Sequence, residues 1–285
     1  MSDVVVSHPW KDARRLPVRT IRADHLAREA IDDVIQGLFE YEIWSGMALH
    51  EIRQRFRRST LGPLWLTLSM GIMVGALGVV FSTLLKQDIS QTLPYIATGL
   101  IFWGLLTNCI NDGTTAFIGS ETYIRNVPLP ISVHIYRMIA RNLIIWAFNM
   151  AIYVVVLVVF QIPIGWATLL FIPGFALFLL NLTWIAFAVA VLSTRYRDIP
   201  QVIVNLVQVV FFVTPVFWSL DSLPNHPAFV ALNPFYHLLE IVRAPLLGHF
   251  ASPLNWAISF GSAAVGLAAT AYLYRRAYAR IAYWV

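Results

Sequence analysis

Charged residues are scarce in this sequence. Asp, Glu, Lys and Arg make up only 12% of the 285 residues, and hydrophobic residues make up 58%, whereas a soluble globular domain carries roughly 25% charged residues. Because long uncharged runs accompany this deficit, the composition excludes an ordinary soluble domain and indicates a membrane protein. The net charge of +5 does not predict a nucleic-acid partner, since half of the basic residues lie in the first 63 positions, beside a hydrophobic segment, where topology signals occur.

Cysteine and lysine are also rare, and both shortages exclude chemistry. Cys109 is the single cysteine, so the chain forms no internal disulfide and no cysteine-based metal cluster, and a buried, inert thiol is expected. Neither Lys11 nor Lys86 follows a glycine, whereas the phosphate-binding loop of ATPases needs a Gly-Lys pair. We therefore predict no ATP hydrolysis by such a loop and no catalytic, cofactor-binding or metal-binding residue in this chain.

Six largely uncharged segments predict an all-α membrane protein with six transmembrane helices, since one crossing takes about 20 apolar residues. The uncharged stretch 142–194 is too long for one helix, and the proline and glycine within 161–165 divide it in two. The predicted spans, within a membrane domain of residues 59–285, are about 62–85, 93–112, 134–160, 166–194, 199–220 and 254–274.

The positions of the basic residues predict the orientation of these spans. With the amino terminus inside, all of the 20 Lys and Arg residues except Lys86 and Arg243 fall in cytoplasmic segments, as the positive-inside rule requires. Both termini are therefore expected in the cytoplasm. Ionisable side chains are almost absent from the spans, which argues against transport driven by a proton relay, while sodium coupling through backbone carbonyls stays open.

The first 58 residues are predicted to lie outside the bilayer. Residues 1–24 are polar, basic and punctuated by proline, and a flexible cytoplasmic tail is expected. Residues 25–58 show apolar residues at helical spacing, which indicates an amphipathic helix on the cytoplasmic interface, broken near Gly37 or Gly46; a short soluble helical domain is the alternative. Four arginines near the end of this segment are expected to bind anionic lipid headgroups, and each contributes roughly 1 kcal/mol to that binding. A lipid pyrophosphate is the alternative ligand. The four are Arg53, Arg55, Arg57 and Arg58.

Residues 221–247, between the fifth and sixth spans, have an unusual composition. The part from 235 to 247 is apolar enough to enter the bilayer but too short and interrupted to cross it. Because non-helical backbone at membrane depth requires shielding by protein or an aqueous cavity, we expect re-entrant half-helices that form a gate or vestibule at the outer face. An ordinary external loop is the alternative. Glu240 and Arg243, three apart on a helix, are expected to pair.

Six short motifs follow one another along the chain. They are RRSTLGPLW (57–65), LPY with Gly99 and Trp103 (93–103), YIRNVPLP (123–130), RYRDIP (195–200), TPVFW (214–218), and LNP with Arg243 (232–243). In this order they resemble ABC type 2 permeases that export polysaccharides, over about residues 40–280. Exporters of O-antigen, capsule and teichoic acid share these features, so the resemblance does not identify the glycan.

This resemblance implies a half-transporter in the bacterial inner membrane. Two copies of the chain would enclose one channel for a lipid-linked polysaccharide, and two separate ATPase subunits would bind ATP and magnesium. The resemblance implies that the contact with the ATPase is made by Glu121, Arg125, Asn126 and Pro128. The alternative is that these residues form an ordinary solvent-exposed turn. The outer gate is expected to contain Pro215, Phe217, Asn233, Pro234, Tyr236, Glu240 and Arg243.

Aromatic residues, 14% of the chain, supply candidates for the translocation path. Aromatic residues at span ends form interfacial belts, but others lie deeper or beside the expected gate, where sugar rings would slide over their faces; helix or lipid packing is the alternative for each. These candidates are Trp103, Trp146, Tyr153, Phe211, Phe212 and Trp218. Export of a drug or lipid is the alternative transport function, and a lipid-modifying membrane enzyme is a more distant one.

Overall fold

The computed structural model describes the backbone of residues 23–218 and 228–285 and the side chains of residues 28–218 and 230–285. All regular structure in these ranges is helical, which confirms the predicted all-α fold class. The expected tail lies outside the described residues except for its last two, which begin the first helix. Residues 219–227, which include the start of the expected re-entrant segment, also lie outside them.

The helices follow each other with short connections. A 3-10 turn at Ile118–Ser120 precedes the fifth helix. The helices are α1 Ala23–Phe39, α2 Tyr41–Arg55, α3 Leu64–Leu85, α4 Ile89–Thr115, α5 Glu121–Asn126, α6 Val133–Phe160, α7 Trp166–Leu169, α8 Phe171–Arg195, α9 Ile199–Val213, α10 Ala228–Ala231, α11 Pro234–Leu246 and α12 Pro253–Trp284.

Five helical segments in the described residues are long and apolar enough to cross a membrane. They are Leu64–Leu85, Ile89–Thr115, Val133–Phe160, Trp166–Arg195 and Pro253–Trp284. At the position of the expected fifth span, α9 has 15 residues, about 22 Å of helix against a hydrocarbon core of about 30 Å. It ends at Val213 because Pro215 disfavours helical geometry at the preceding residue, and Thr214 is extended, with ψ 131°.

The central helix is α4, which packs against α3, α6, α8, α9 and α11. A helix that is apolar on all sides is stable either in lipid or among other helices, and α4 is among other helices, since most of it is buried. Phe102, which has no exposed surface, lies 5.6–6.1 Å from the rings of Trp146, Phe171, Phe175 and Phe178. The expected burial of Cys109 in this core is confirmed.

The amino-terminal amphipathic segment is two helices that pack on the membrane domain. The break that was expected near Gly37 or Gly46 is at Glu40, three residues after Gly37. Gly37 itself lies where α1 crosses the start of α6, and a Cβ atom there would overlap the Ser132 hydroxyl. The glycine therefore permits close packing and does not end the helix.

Candidate functional site

Arg243 is the centre of the expected outer gate region. It is 1% exposed and is the largest fully buried side chain among the described residues. Its Nε donates to Glu240 at 3.0 Å, one terminal nitrogen donates to the Pro215 carbonyl at 2.9 Å, and its guanidinium carbon lies 3.8 Å from the centre of the Tyr95 ring. The expected pairing with Glu240 is present. Because a buried charge is tolerated only when it is paired and hydrogen-bonded, Arg243 joins α11 firmly to the segment that leaves α9.

The segment 214–217 is held from both sides. The Asn233 side chain donates to the Thr214 hydroxyl at 2.7 Å, and the Tyr95 hydroxyl donates to the Pro215 carbonyl at 3.3 Å. The absence of a side chain at Gly99 leaves room for the Val216 carbonyl. The predicted gate residues Pro215, Asn233, Glu240 and Arg243 are thus brought together by α4 and α11.

The other expected gate residues extend this cluster. Phe217 packs 4.7 Å from Phe81, between ring centres. Pro234 is the first residue of α11, where a missing N–H is not needed. Tyr236 lies next to the ring of His237, which bonds to the Asn255 side chain at 2.7 Å and thereby joins α11 to α12.

A cleft of about 590 Å³ opens beside Arg243. Its walls combine the rings of Tyr95, Phe217 and Trp218 with the polar groups of Gln91 and Glu240. Aromatic faces next to hydrogen-bonding groups suit a sugar ring, which is apolar on its faces and polar at its edge.

The deeper aromatic candidates for the translocation path pack inside the chain. Trp146 stacks on Phe175, with ring centres 4.5 Å apart, and the Tyr153 hydroxyl donates to the Leu246 carbonyl at 2.6 Å. Trp103 is 6% exposed and packs on Phe211. Within one chain these residues hold helices together, whereas Phe212 is 62% exposed.

Phe212 lies at the end of a row of polar side chains on α9 that the sequence analysis did not identify. Gln201, Asn205 and Gln208 are all exposed and precede Phe212 at four- and three-residue spacing, so the four side chains share one face of α9. The packed face, around Val207, is the opposite one. A plot of polar residues on a 3.6-residue period would have found this row, but its direction depends on where α9 packs.

The expected coupling residues lie together at the other end of the molecule. Glu121 and Arg125 form an ion pair at 3.1 Å within α5, and Arg125 also donates to the Val285 carbonyl at 2.9 Å. Asn126 donates to the Thr122 carbonyl at 2.8 Å, and Pro128 follows in the exit from the helix. All four candidates are exposed, so α5 presents a short polar surface.

Comparison with known sequences identifies the family. The profile of the ABC-2 type transporter family matches residues 44–247, more than half of the chain. This chain belongs to the ABC-2 type transporter family. The resemblance inferred from the six motifs is therefore confirmed, and the apolar helices of this family member make it a multi-pass membrane protein.

Two curated relatives of this ABC-2 chain carry names that refer to polysaccharides. It is 23% identical over 221 residues to the O-antigen export system permease protein RfbA of Myxococcus xanthus, which covers 76% of this chain and 85% of that protein. It is 24% identical over 219 residues to the polysialic acid transport protein KpsM of Escherichia coli, which covers 72% of this chain and 81% of that protein.

The four arginines expected to bind headgroups are exposed. Arg53 and Arg55 are in the last turn of α2, and Arg57 and Arg58 follow in the turn before α3. Their position immediately before the first apolar span of this ABC-2 chain suits contact with an anionic membrane surface.

Sequence reasoning missed a buried carboxylate in α1. Asp33, 4% exposed, accepts hydrogen bonds from the backbone N–H groups of Ile131 and Ser132, at 2.7 and 3.0 Å, and from the Tyr274 hydroxyl at 2.8 Å. Its charge satisfies donors at the start of α6, where the helix dipole favours an anion. One side chain therefore ties α1 to α6 and α12, close to the exit from α5.

A second polar network joins α2, α4 and α6. Glu51 forms an ion pair with Arg137 at 3.0 Å and accepts a hydrogen bond from Arg141 at 2.6 Å, and Arg141 also donates to Asp112 at 2.8 Å. Asn142 donates to the same Asp112 oxygen at 2.9 Å. Such alternation of charges allows partly buried ions to be satisfied, and it holds α2 against the membrane domain.

Proposed function

We propose that this chain is the permease subunit of an ABC exporter that moves a lipid-linked polysaccharide across the bacterial inner membrane. Two copies enclose one channel, and two separate ATPase subunits bind ATP and magnesium and supply the energy. The observation that carries the proposal is the amide stripe of α9, formed by Gln201, Asn205 and Gln208, which points away from the body of its own chain.

Three amides against lipid tails would be unfavourable. The transfer of one amide from water to a hydrocarbon phase, without a hydrogen-bond partner, costs about 4–8 kcal/mol of free energy. The rest of α9 is apolar, with Val202 55% and Val209 61% exposed, which suits lipid or a partner helix. A second copy that places its own α9 opposite would keep the amides in a wet passage. Phe212, at the end of the stripe, then borders the path.

The orientation follows from the charges. The amino terminus and the basic end of α12 lie in the cytoplasm, and α9 with the non-helical segment 214–218 forms the fifth of six crossings. The described part of the expected re-entrant segment, residues 228–247 with α10 and α11, re-enters the membrane from outside and closes the channel through the cluster around Arg243. In this orientation α5 faces the ATPase, with Glu121, Arg125, Asn126 and Pro128 at the contact.

A polysaccharide cargo is supported by the names of the relatives and by the cleft at Tyr95, Phe217 and Trp218. An exporter of drugs or simple lipids is the second candidate within the family. An apolar cargo has no use for an amide stripe along its passage, so the stripe favours the polysaccharide.

The test is export in a strain whose own copy of this gene is deleted, measured as polysaccharide on the cell surface. Asn205→Leu and Gln208→Leu are each expected to reduce export about tenfold, the effect of roughly 1.4 kcal/mol on a barrier, because the wet passage loses an amide. Val209→Leu, on the same helix, is the matched control. Wild-type purified from membranes should carry a P-loop ATPase.

Three results would contradict the proposal. Surface polysaccharide that is unchanged in the deletion strain would exclude this cargo. Full export by both leucine variants would exclude the stripe as the passage. A purified, intact complex without an ATPase subunit would exclude an ABC exporter.

A further inference from the structure

A groove of about 560 Å³ lies between α1, α6, α8 and α12. Its volume is within the range of about 300–1,000 Å³ that is typical of small-molecule sites. Ile35 of α1, Leu143 of α6, Leu180 of α8 and Leu267 of α12 contribute one wall each. The groove is therefore a concave site shared by four helices and not a flat apolar face.

Almost all polar groups in the lining donate their hydrogens to the protein itself. The Tyr136 and Tyr274 hydroxyls donate to the Val34 carbonyl and to Asp33, at 3.1 and 2.8 Å. The tryptophan N–H groups and the threonine hydroxyls of the lining are bonded in the same way, and they belong to Trp44, Trp184, Thr183 and Thr270. The groove consequently offers a ligand little besides hydrocarbon.

Arg275 is the exception. It is the one charged residue among those that line the groove, and its side chain is exposed at the end of the groove next to Tyr274. A ligand that fits this pattern has a long apolar part and a single anionic end. Apolar lining alone would accept many molecules, but the lone guanidinium selects a negative charge.

The surroundings of the groove are those of a membrane interface. Ile35, Leu38 and Phe39, on the outer side of α1, are 48%, 52% and 75% exposed and continue its apolar surface. Trp44 of α2, which precedes the first apolar span, lies in its lining, and tryptophan is enriched at the level of lipid headgroups. A bilayer lipid can therefore enter the groove sideways without leaving the membrane.

We propose that this groove binds one anionic membrane phospholipid, with an acyl chain between α1 and the spans and its phosphate at Arg275. The lipid fills the space beneath α1, which Asp33 holds at one end, and so becomes part of the packing of this helix. Since Arg275 contributes about 1 kcal/mol to an anionic headgroup near the surface, the preference for an anionic lipid should be about fivefold. The proposal does not depend on the identity of the exported cargo.

The test uses the full-length chain, purified in detergent with any subunits that accompany it and delipidated. Native mass spectrometry then follows the binding of phosphatidylglycerol, which is anionic, and of phosphatidylcholine, which is zwitterionic with no net charge. Wild-type is expected to retain one phosphatidylglycerol per chain at about fivefold lower lipid concentration than phosphatidylcholine. Arg275→Gln should bind both lipids equally, at the concentration that phosphatidylcholine requires.

Two further variants separate the groove from the rest of the surface. Ala271→Trp places a large ring in the groove from α12, at an exposed position, and should abolish retention of the lipid. Ala269→Trp is the matched control, since Ala269 is exposed on the same helix but does not line the groove, and retention should be unchanged. Leu180→Trp, from α8, repeats the test if the first variant does not fold.

Equal retention of both lipids by wild-type would overturn the proposed selectivity for anionic lipid. Retention by both groove-filling variants at the level of Ala269→Trp would overturn the site. A wild-type mass of two chains that falls to one chain in Ala271→Trp, without loss of lipid, would mean that a second copy covers the groove and would also overturn the proposal.

Discussion

The helices α4 and α9 are apolar neighbours with opposite burial. Ile96, Phe102 and Leu106 of α4 have no exposed surface, because five other helices surround them. On α9 only Val207 is buried, and the amide stripe points outward. The comparison teaches that hydrophobicity determines the solvent in which a helix is stable, whereas its burial depends on the neighbours that one chain supplies. In the proposed dimer, α9 is the helix that faces the second copy.

The largest loss of stability is expected when Arg243, which joins α4 and α11 to the segment after α9, is replaced. Arg243→Leu leaves Glu240 unpaired and releases the Pro215 carbonyl, and breaking a buried ion pair costs about 3–5 kcal/mol. Denaturant unfolding in detergent micelles, followed by tryptophan fluorescence, measures the loss. The double variant Glu240→Gln, Arg243→Met should recover much of it, since neither charge remains. A single variant as stable as wild-type would show that Arg243 does not join α4, α11 and segment 214–217.

The contrast between the helices is tested directly by two phenylalanines. Phe102→Ala removes a ring in contact with four aromatic rings and should cost about 3–5 kcal/mol of unfolding free energy. Phe212→Ala, at a residue that is 62% exposed, should change stability by at most about 0.5 kcal/mol while it lowers export. The same unfolding assay and the surface polysaccharide assay measure the pair. Equal losses of stability would refute the difference in burial between α4 and α9.

A smaller effect is expected at α1, another helix with an exposed apolar side. Asp33→Asn keeps the shape but weakens two backbone contacts and the bond from Tyr274, at a cost of roughly 1–3 kcal/mol. Hydrogen exchange at Ile131 and Ser132 should become faster. Asp32→Asn is the control, because Asp32 is the exposed neighbour. Equal exchange in the two variants would mean that the carboxylate of Asp33 does not hold α1.

The smallest effect concerns the first turns of α4 and α9. The Asp88 side chain accepts from the Ser90 N–H at 2.9 Å, whereas Asp198 makes no side-chain cap bond at the start of α9. Asp88→Ala should therefore increase fraying of the first turn of α4, and Asp198→Ala should increase fraying of α9 less. The rate of hydrogen exchange in each first turn measures the difference. An equal response of both helices would contradict this assignment of the caps.

The same cap predicts a dependence on pH. The backbone hydrogen bond from Ser90 lowers the pKa of Asp88 below its ordinary value of 3.8. Because the folded-state pKa is the lower one, the stabilisation is fully present above pH 3.8 and is lost as the pH falls through the folded-state pKa. Exchange in the first turn of α4 should rise only in that acidic range, and Asp88→Asn should abolish the rise.

Sequence reasoning succeeded where the deciding interactions are local. The positions of the long apolar helices follow from runs without charge, and the pair Glu240–Arg243 follows from a spacing of three residues on one helix. The expected fifth span extends to residue 220, whereas α9 ends at Val213, just before Pro215. The break in the amphipathic segment is close to Gly37, as expected, but Gly37 itself is helical and allows close packing against Ser132.

Contacts between residues far apart along the chain could not be predicted from the sequence. Asp33 is one of several acids in a polar-looking helix, and its partners Ile131 and Tyr274 lie far away along the chain. Trp146 and Tyr153 occur at the depth expected of a translocation path, yet they pack against other helices of the same chain. No local pattern distinguishes an aromatic ring that lines a passage from one that fills a core.

The sequence by itself determined that this protein lies in a membrane and where its helices are. Both can be read from the order of residues, because charged groups are costly in a bilayer and apolar residues recur with the helical period. Only the tertiary structure decided which polar groups are enclosed and which are exposed. Arg243 and Asp33 are buried because remote backbone groups meet them, and Asn205 is exposed because α9 packs on its opposite face. Burial is a property of the neighbours brought together by folding, and those neighbours are not adjacent in the sequence.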